Sequence, residues 1–141
     1  RQKDVGYGGV ISIFTRRLMN GMPPMVYGSG EQKRDYTFIS DTVGGYMEIL
    51  YKQEKGIGPI NLGTGKEVSI LEVAKGIASL LGKDIGPIFE NARINEVSRL
   101  ICNANKAKKE IGWAPKIEFE EGLRRYIEWY RVYGMESALV I

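Results

Sequence analysis

The sequence predicts a small mixed α/β lobe, built from short strands and about five helices, and three observations carry that reading. Strand-like and helix-like runs alternate along all 141 residues, the pattern of an α/β fold. Apolar residues recur at three- and four-residue spacing in several stretches, the mark of amphipathic helices. No Val/Ile-rich run of six or more occurs, although strands buried on both faces of a doubly wound sheet require one. At 43% hydrophobic and 26% charged residues the chain has an ordinary globular composition. Its length suffices for one domain, 1–141, that buries roughly two-thirds of its unfolded surface.

Val10, Ile11, Phe14 and Leu18 share a helical face and Gly21 follows as a stop, so a helix is expected over about 8–20. Pro23-Pro24 cannot continue it. Met25-Val26-Tyr27 reads as a short strand that ends in the Gly28-Ser29-Gly30 turn, and Tyr36-Thr37-Phe38-Ile39 as another. Ser40 or Asp41 would cap the next helix, with Val43, Tyr46, Met47 and Leu50 as its expected buried stripe. Ile60-Asn61-Leu62 predicts a third strand before Gly63-Thr64-Gly65. Ser69 with Glu72 forms a capping box ahead of Ile70, Val73, Ala74, Ile77 and Leu81, and Gly82 supplies the stop. Ile88-Phe89-Glu90 is strand-like, 91–99 irregular, and 105–111 a short helix ended by Gly112. Phe119, Leu123, Ile127 and Tyr130 mark a last helix of three to four turns.

Several chemistries are excluded. Without histidine, the chain has neither imidazole acid–base catalysis nor histidine metal ligation. Its single Cys102 permits no internal disulfide and no thiolate zinc site, and fits a reducing, cytoplasmic setting. No apolar run approaches the roughly 20 residues that span a bilayer, so no membrane partner is expected. The net charge of +3 is scattered over helix faces between carboxylates. No basic stripe interleaved with aromatics points to nucleic acid. Residue 1 is Arg rather than Met, and a cut N-terminus is the expectation.

Three apparent motifs fail on inspection. Gly63-Thr64-Gly65-Lys66 lacks the first glycine of a phosphate loop, where Ile60 stands, and Glu67 replaces its Ser/Thr. Gly6, Gly8 and Gly9 follow no strand and have the wrong spacing for a dinucleotide fingerprint. Tyr51 and Lys55 have the spacing of a Tyr-x-x-x-Lys proton-transfer pair, but they sit at a helix end.

What remains is ligand binding. Val26-Tyr-Gly-Ser-Gly-Glu-Gln-Lys-Arg-Asp-Tyr-Thr-Phe-Ile-Ser-Asp-Thr-Val43 resembles the substrate-lobe signature of nucleotide-sugar epimerases and dehydratases, in the extended branch of the short-chain dehydrogenases/reductases. Arg1-Gln2, Asn61–Gly65, Ser69–Glu72, Lys106–Pro115 and Glu120–Tyr130 match the same family in order, so the resemblance covers nearly the whole chain. It implies the C-terminal substrate domain of such an enzyme, UDP-glucose 4-epimerase-like, without the Rossmann half.

In that family the segment of Met25, Val26 and Tyr27 lies against the base, and an aromatic at Tyr27 offers a flat wall for stacking. Arg34 corresponds to the arginine that binds the diphosphate, a task suited to a planar guanidinium. Its competing use is an ion pair with Asp35 or Asp41. A second phosphate arginine is either Arg93, with Glu96 in place of the usual Asp and Asn95 in place of the usual Gly, or Arg99 in a shifted register.

The Tyr-x-x-x-Lys pair of such enzymes precedes the Arg-Asp-Tyr segment, so Tyr51 and Lys55 stand in the wrong place for it. The resemblance implies NAD in the complete enzyme and none in this fragment, no catalysis by the fragment alone, and a UDP-sugar as ligand. It also implies a missing N-terminal Rossmann domain and self-association through the bared inter-domain face. A 4,6-dehydratase fragment, or a standalone module that binds no nucleotide, are the alternatives.

Overall fold

The structure, a computed structural model, describes residues 9–52 and 56–134. The expectations for Arg1-Gln2, Gly6, Gly8 and Lys55 therefore lie outside the described residues. Among those described there are five helices and five very short strands, in the order α1 (Val10–Met19), β1 (Met25–Tyr27), β2 (Lys33–Arg34), α2 (Ile39–Lys52), β3 (Val68–Ser69), α3 (Ile70–Leu81), β4 (Ile88–Glu90), β5 (Arg99–Leu100), α4 (Asn105–Ile111) and α5 (Phe119–Tyr133). No described helix is long and apolar enough to cross a membrane. The described residues divide into two compact units: 9–32, 69–98 and 120–134 form the first, and 33–52 and 56–68 with 99–119 the second.

In the first unit α1 packs on α3, and β1 runs parallel to β4 with Met25 opposite Ile88, Val26 opposite Phe89 and Tyr27 opposite Glu90. Phe14 and Leu18 of α1, Val26 of β1, Val73 and Ile77 of α3, and Leu123 and Ile127 of α5 are almost completely buried. Each such side chain stabilises the fold by about 1.5–3 kcal/mol. The capping box at the head of α3 is complete: Ser69 N–H donates to Glu72 Oε2 (2.7 Å) and Glu72 N–H to Ser69 Oγ (3.1 Å). At the other end Gly82 takes the left-handed conformation (φ 63°) that stops the helix.

The second unit is built on α2 and α4. Ala107, Ile111 and Trp113 are buried together, with Ile49, Ile57, Ile60 and Leu62 packed around them. Gly45 lets α2 approach closely: a Cβ there would lie 2.6 Å from Leu62 Cδ1 and 3.2 Å from Trp113 Nε1. The Trp113 indole donates to the Asp41 carbonyl (2.9 Å), so it fixes the start of α2. β2 runs parallel to β5, Lys33 opposite Arg99 and Arg34 opposite Leu100, in the strand order β3-β2-β5.

Four expectations are corrected here. The strand expected at Tyr36–Ile39 falls three residues earlier, at Lys33–Arg34, because the partner strand Arg99–Leu100 meets the chain there. Ile39 already begins α2, and Asp41, expected as a possible cap, lies inside the first turn. Its carboxylate instead accepts from Lys116 N–H and Ile117 N–H, both at 2.9 Å. Ile60–Leu62 forms no strand; Ile60 and Leu62 pack into the cluster around Trp113. Finally, the expected buried stripe of α2 is exposed: Val43 is 50%, Tyr46 61%, Met47 40% and Leu50 61% accessible. The helix has the predicted apolar periodicity, but the described residues place no core against that face.

Candidate functional site

Four polar or aromatic side chains converge within the first unit, at the C-terminal end of β1. Tyr27 closes the strand and Gly28 follows in the left-handed region (φ 65°), its N–H donating to Glu90 O (2.9 Å). Gln32 folds back across this turn, and its Nε2 donates to Tyr27 O (2.8 Å) and Glu96 Oε2 (3.0 Å). Arg93 sets its guanidinium carbon 4.1 Å from the centre of the Tyr27 ring, a cation–π distance.

The loop residues come together because 93–96 is a turn in which Glu96 N–H points to Arg93 O (3.4 Å). Asn95 has φ 61°, and among the described residues it is the one non-glycine in the left-handed region. Asn tolerates that conformation better than most residues. A glycine, the usual residue here on the resemblance, would take that conformation without strain.

Of the other residues read from the sequence, Val26 is fully buried and acts from beneath, filling the space beside Gly30, where a Cβ would lie 2.8 Å from Val26 Cγ1. Met25 is half-buried on β1. Gln32 was not singled out by the sequence; an amide between a turn and a strand carries no spacing signal, although it lies inside the motif.

Arg34 and Arg99 belong to the second unit and face apart. Partners in a parallel ladder share a face, and successive residues alternate. Lys33 and Arg99 therefore project to one side, where Glu67 pairs with Arg99 and lies 3.8 Å from Lys33 Nζ. Arg34 projects to the other side and lines an open cleft of about 540 Å³ with Asp35, Thr42, Tyr46, Leu62 and Leu100 among its walls. Its Nη1 donates to Lys33 O (2.9 Å).

Asp35, the neighbour of Arg34, accepts from Thr64 N–H (3.0 Å) and Thr64 O–H on Oδ1, and from Gly65 N–H (2.8 Å) and Cys102 N–H (3.2 Å) on Oδ2. Partial burial pushes this carboxyl up, but the hydrogen bonds from Thr64, Gly65 and Cys102 outweigh it and hold it below the usual carboxylate range. Burial, helped by the Asp35 charge, raises the Cys102 thiol. Burial likewise pushes the Tyr36 hydroxyl up to about 12 against the opposing charge of Arg34.

Two places where a dinucleotide could approach the described backbone closely are occupied from within. The N–H groups that open α3, the natural seat for a pyrophosphate, are filled: Ile70 N–H donates to Gln32 O (3.1 Å), Leu71 N–H to Gly30 O (3.0 Å) and Glu72 N–H to Ser69 Oγ. The space beside Gly30 is taken by Val26 and Leu71, and that beside Gly63 by Cys102. Their glycines serve internal packing rather than a close approach by a cofactor. Tyr51, at the end of α2, is 79% exposed.

Comparison with known proteins identifies the family. A family model described as GDP-mannose 4,6 dehydratase matches residues 2–126. The UDP-glucose 4-epimerase of Mycolicibacterium smegmatis is 30% identical over 131 residues, covering 93% of this chain and 42% of that protein. The structure of a UDP-glucose 4-epimerase from Thermotoga maritima with UDP-glucose superposes with a TM-score of 0.86 at 34% identity, over 94% of this chain and 42% of that one. A further protein, solved in complex with UDP-glucose and NAD, matches with a TM-score of 0.81 at 33% identity, over 88% of this chain and 42% of its own. The chain thus spans about two-fifths of the length of each of these relatives.

Proposed function

Because this chain belongs to the nucleotide-sugar epimerase and dehydratase family of extended short-chain dehydrogenases/reductases, we propose that it is the nucleotide-sugar-binding part of such an enzyme, of the UDP-glucose 4-epimerase type. The observation that carries the proposal is the Tyr27–Arg93 stack, tied through Gln32 to Glu96. A guanidinium whose carbon sits over an aromatic ring still has planar N–H donors that can meet two phosphate oxygens at once. Tyr27 thus orients Arg93 while offering aromatic surface to a base. Glu96, held by Gln32, is an acceptor suited to a ribose hydroxyl.

Of the two candidates for the second phosphate ligand, this favours Arg93. Arg99 is already matched to Glu67 on the face away from Arg34. Arg34, in the second unit, is the proposed first phosphate ligand. Relatives solved with UDP-glucose, and with UDP-glucose and NAD, support a uridine nucleotide over a guanosine one. Binding energy from the nucleotide, remote from the reacting sugar carbon, is what positions a substrate for chemistry done elsewhere.

NAD, when bound in a complete enzyme, supplies hydride chemistry at the sugar. The residues of this chain that we assign bind and orient the nucleotide, and we assign none of them a proton-transfer role. We read the exposed face of α2 as the surface that the remaining length of a family protein covers.

Isothermal titration with UDP, UDP-glucose and GDP tests the reading. Heat of binding is expected for the uridine ligands, lost or weakened in Arg34→Ala and Arg93→Ala. Equal affinity of both variants and the unsubstituted protein would overturn it.

A further inference from the structure

We propose that Asp35 is the positioning residue of the Arg34 cleft: its carboxylate ties the Gly63–Gly65 turn and the Cys102 main chain to the strand that carries Arg34, and so sets how strongly Arg34 holds an anionic ligand. The inference rests on the assignment of Arg34 as a phosphate ligand. The ladder between β2 and β5 is only two residue pairs long, too short to fix a strand by itself. Asp35 extends it by one main-chain bond, N–H to Leu100 O (3.2 Å), and then adds four side-chain bonds to two other segments.

Those segments help wall the cleft that Arg34 lines: Leu62, which precedes the turn, and Leu100, Ile101 and Cys102 are among its lining residues. The junction has no slack. A Cβ at Gly63 would lie 2.2 Å from Cys102 Cβ and 3.0 Å from Asp35 Oδ2.

The donor count makes the residue type specific. Oδ1 faces two donors, from Thr64, and Oδ2 faces two more, from Gly65 and Cys102. An asparagine must turn its NH₂ toward one of these pairs, so two accepted bonds become donor–donor conflicts while size and shape stay the same. Asp35→Asn therefore loosens the junction without emptying it. The neighbouring guanidinium loses its fixed base although no atom of Arg34 has been changed.

The test is a double-mutant cycle read by titration with UDP: the unsubstituted protein, Arg34→Ala, Asp35→Asn and the double variant, each measured well below its thermal midpoint. Asp35→Asn is expected to weaken binding about tenfold in the Arg34 protein and less than about twofold in the Arg34→Ala background, because a residue that acts through Arg34 has nothing left to act on. Equal weakening in both backgrounds, or none in either, overturns the inference and leaves Asp35 a purely structural residue. If the unsubstituted protein fails to bind UDP, the nucleotide reading itself fails, and if Arg34→Ala binds as well as it does, the assignment of Arg34 fails; either result takes this inference with it. Should Asp35→Asn not fold, Thr64→Val removes one of the four donors and is run through the same cycle. The same sign with a smaller effect is expected, and additivity with Arg34→Ala is the contradicting result.

Discussion

The guanidinium of Arg93 lies over the ring of Tyr27, 4.1 Å from its centre, and the two residues reach each other across 66 positions of sequence by means of a parallel strand pair and a tight turn. If Tyr27 orients Arg93 through that stack, the ring matters and the hydroxyl does not. Tyr27→Phe should bind UDP within about twofold of the unsubstituted protein, whereas Tyr27→Leu should weaken it about 5- to 20-fold, the range of a partly exposed cation–π contact. Titration calorimetry on the two variants decides; a Leu variant as good as Phe removes the stack from the account.

The turn between Arg93 and Glu96 depends on a left-handed asparagine (φ 61°). Asn95→Gly is expected to leave stability within about 0.5 kcal/mol, while Asn95→Val, β-branched in a region it avoids, should cost about 1–3 kcal/mol or open the turn. Urea unfolding measures the first quantity. A valine variant of undiminished stability and affinity would show that the turn does not hold the site.

How much of this was legible in sequence depends on what each feature needed. The capping box Ser69–Glu72, the stop at Gly82, the helix α1 and the strand Met25–Tyr27 are set by residues near one another in the chain, and the structure places them where spacing does. The ladder at Lys33–Arg34 was missed because its position is fixed by Arg99–Leu100, far along the sequence, and not by the β-rich Tyr36–Ile39 beside it. Val43, Tyr46, Met47 and Leu50 have an apolar period but no described partner, and periodicity states that a face wants cover without saying what covers it. The roles of Gln32 and Asp35 could not be read at all. Each acts by hydrogen bonds to residues brought near by the fold.

Asp35 should also make the second unit sensitive to acid. Its carboxyl lies below the usual range when folded, so between its folded pKa and its unfolded value of about 3.9 the unfolded chain binds more protons. The Asp35 contribution is therefore complete above the unfolded value and is lost as pH falls through the folded one. Stability measured by urea from pH 7 down to 3 should fall less steeply for Asp35→Asn than for the unsubstituted protein. Parallel curves would show that the hydrogen bonds from Thr64, Gly65 and Cys102 do not favour the ionised form.

The exposed face of α2 predicts association. Replacing Met47 and Leu50 by Glu and Lys should change unfolding stability by no more than about 0.5 kcal/mol each, since neither is buried. It should also abolish concentration-dependent self-association, the expected behaviour of a large uncovered apolar stripe. Sedimentation velocity over a range of concentrations reads this directly. A protein that is monomeric at every concentration before the substitutions would argue that the stripe is tolerated in water.

The central claim, that Arg93 of the first unit and Arg34 of the second are each nucleotide-diphosphate ligands, is tested most directly by following the arginine Nε–Hε resonances in nitrogen-edited NMR spectra during titration with UDP. Arg93, in the first unit, and Arg34, in the second, are each expected to shift as UDP saturates, while Arg99, paired with Glu67, stays in place. Resonances of Arg34 and Arg93 that do not move at saturating UDP, or Arg99 moving in the place of Arg93, would contradict it.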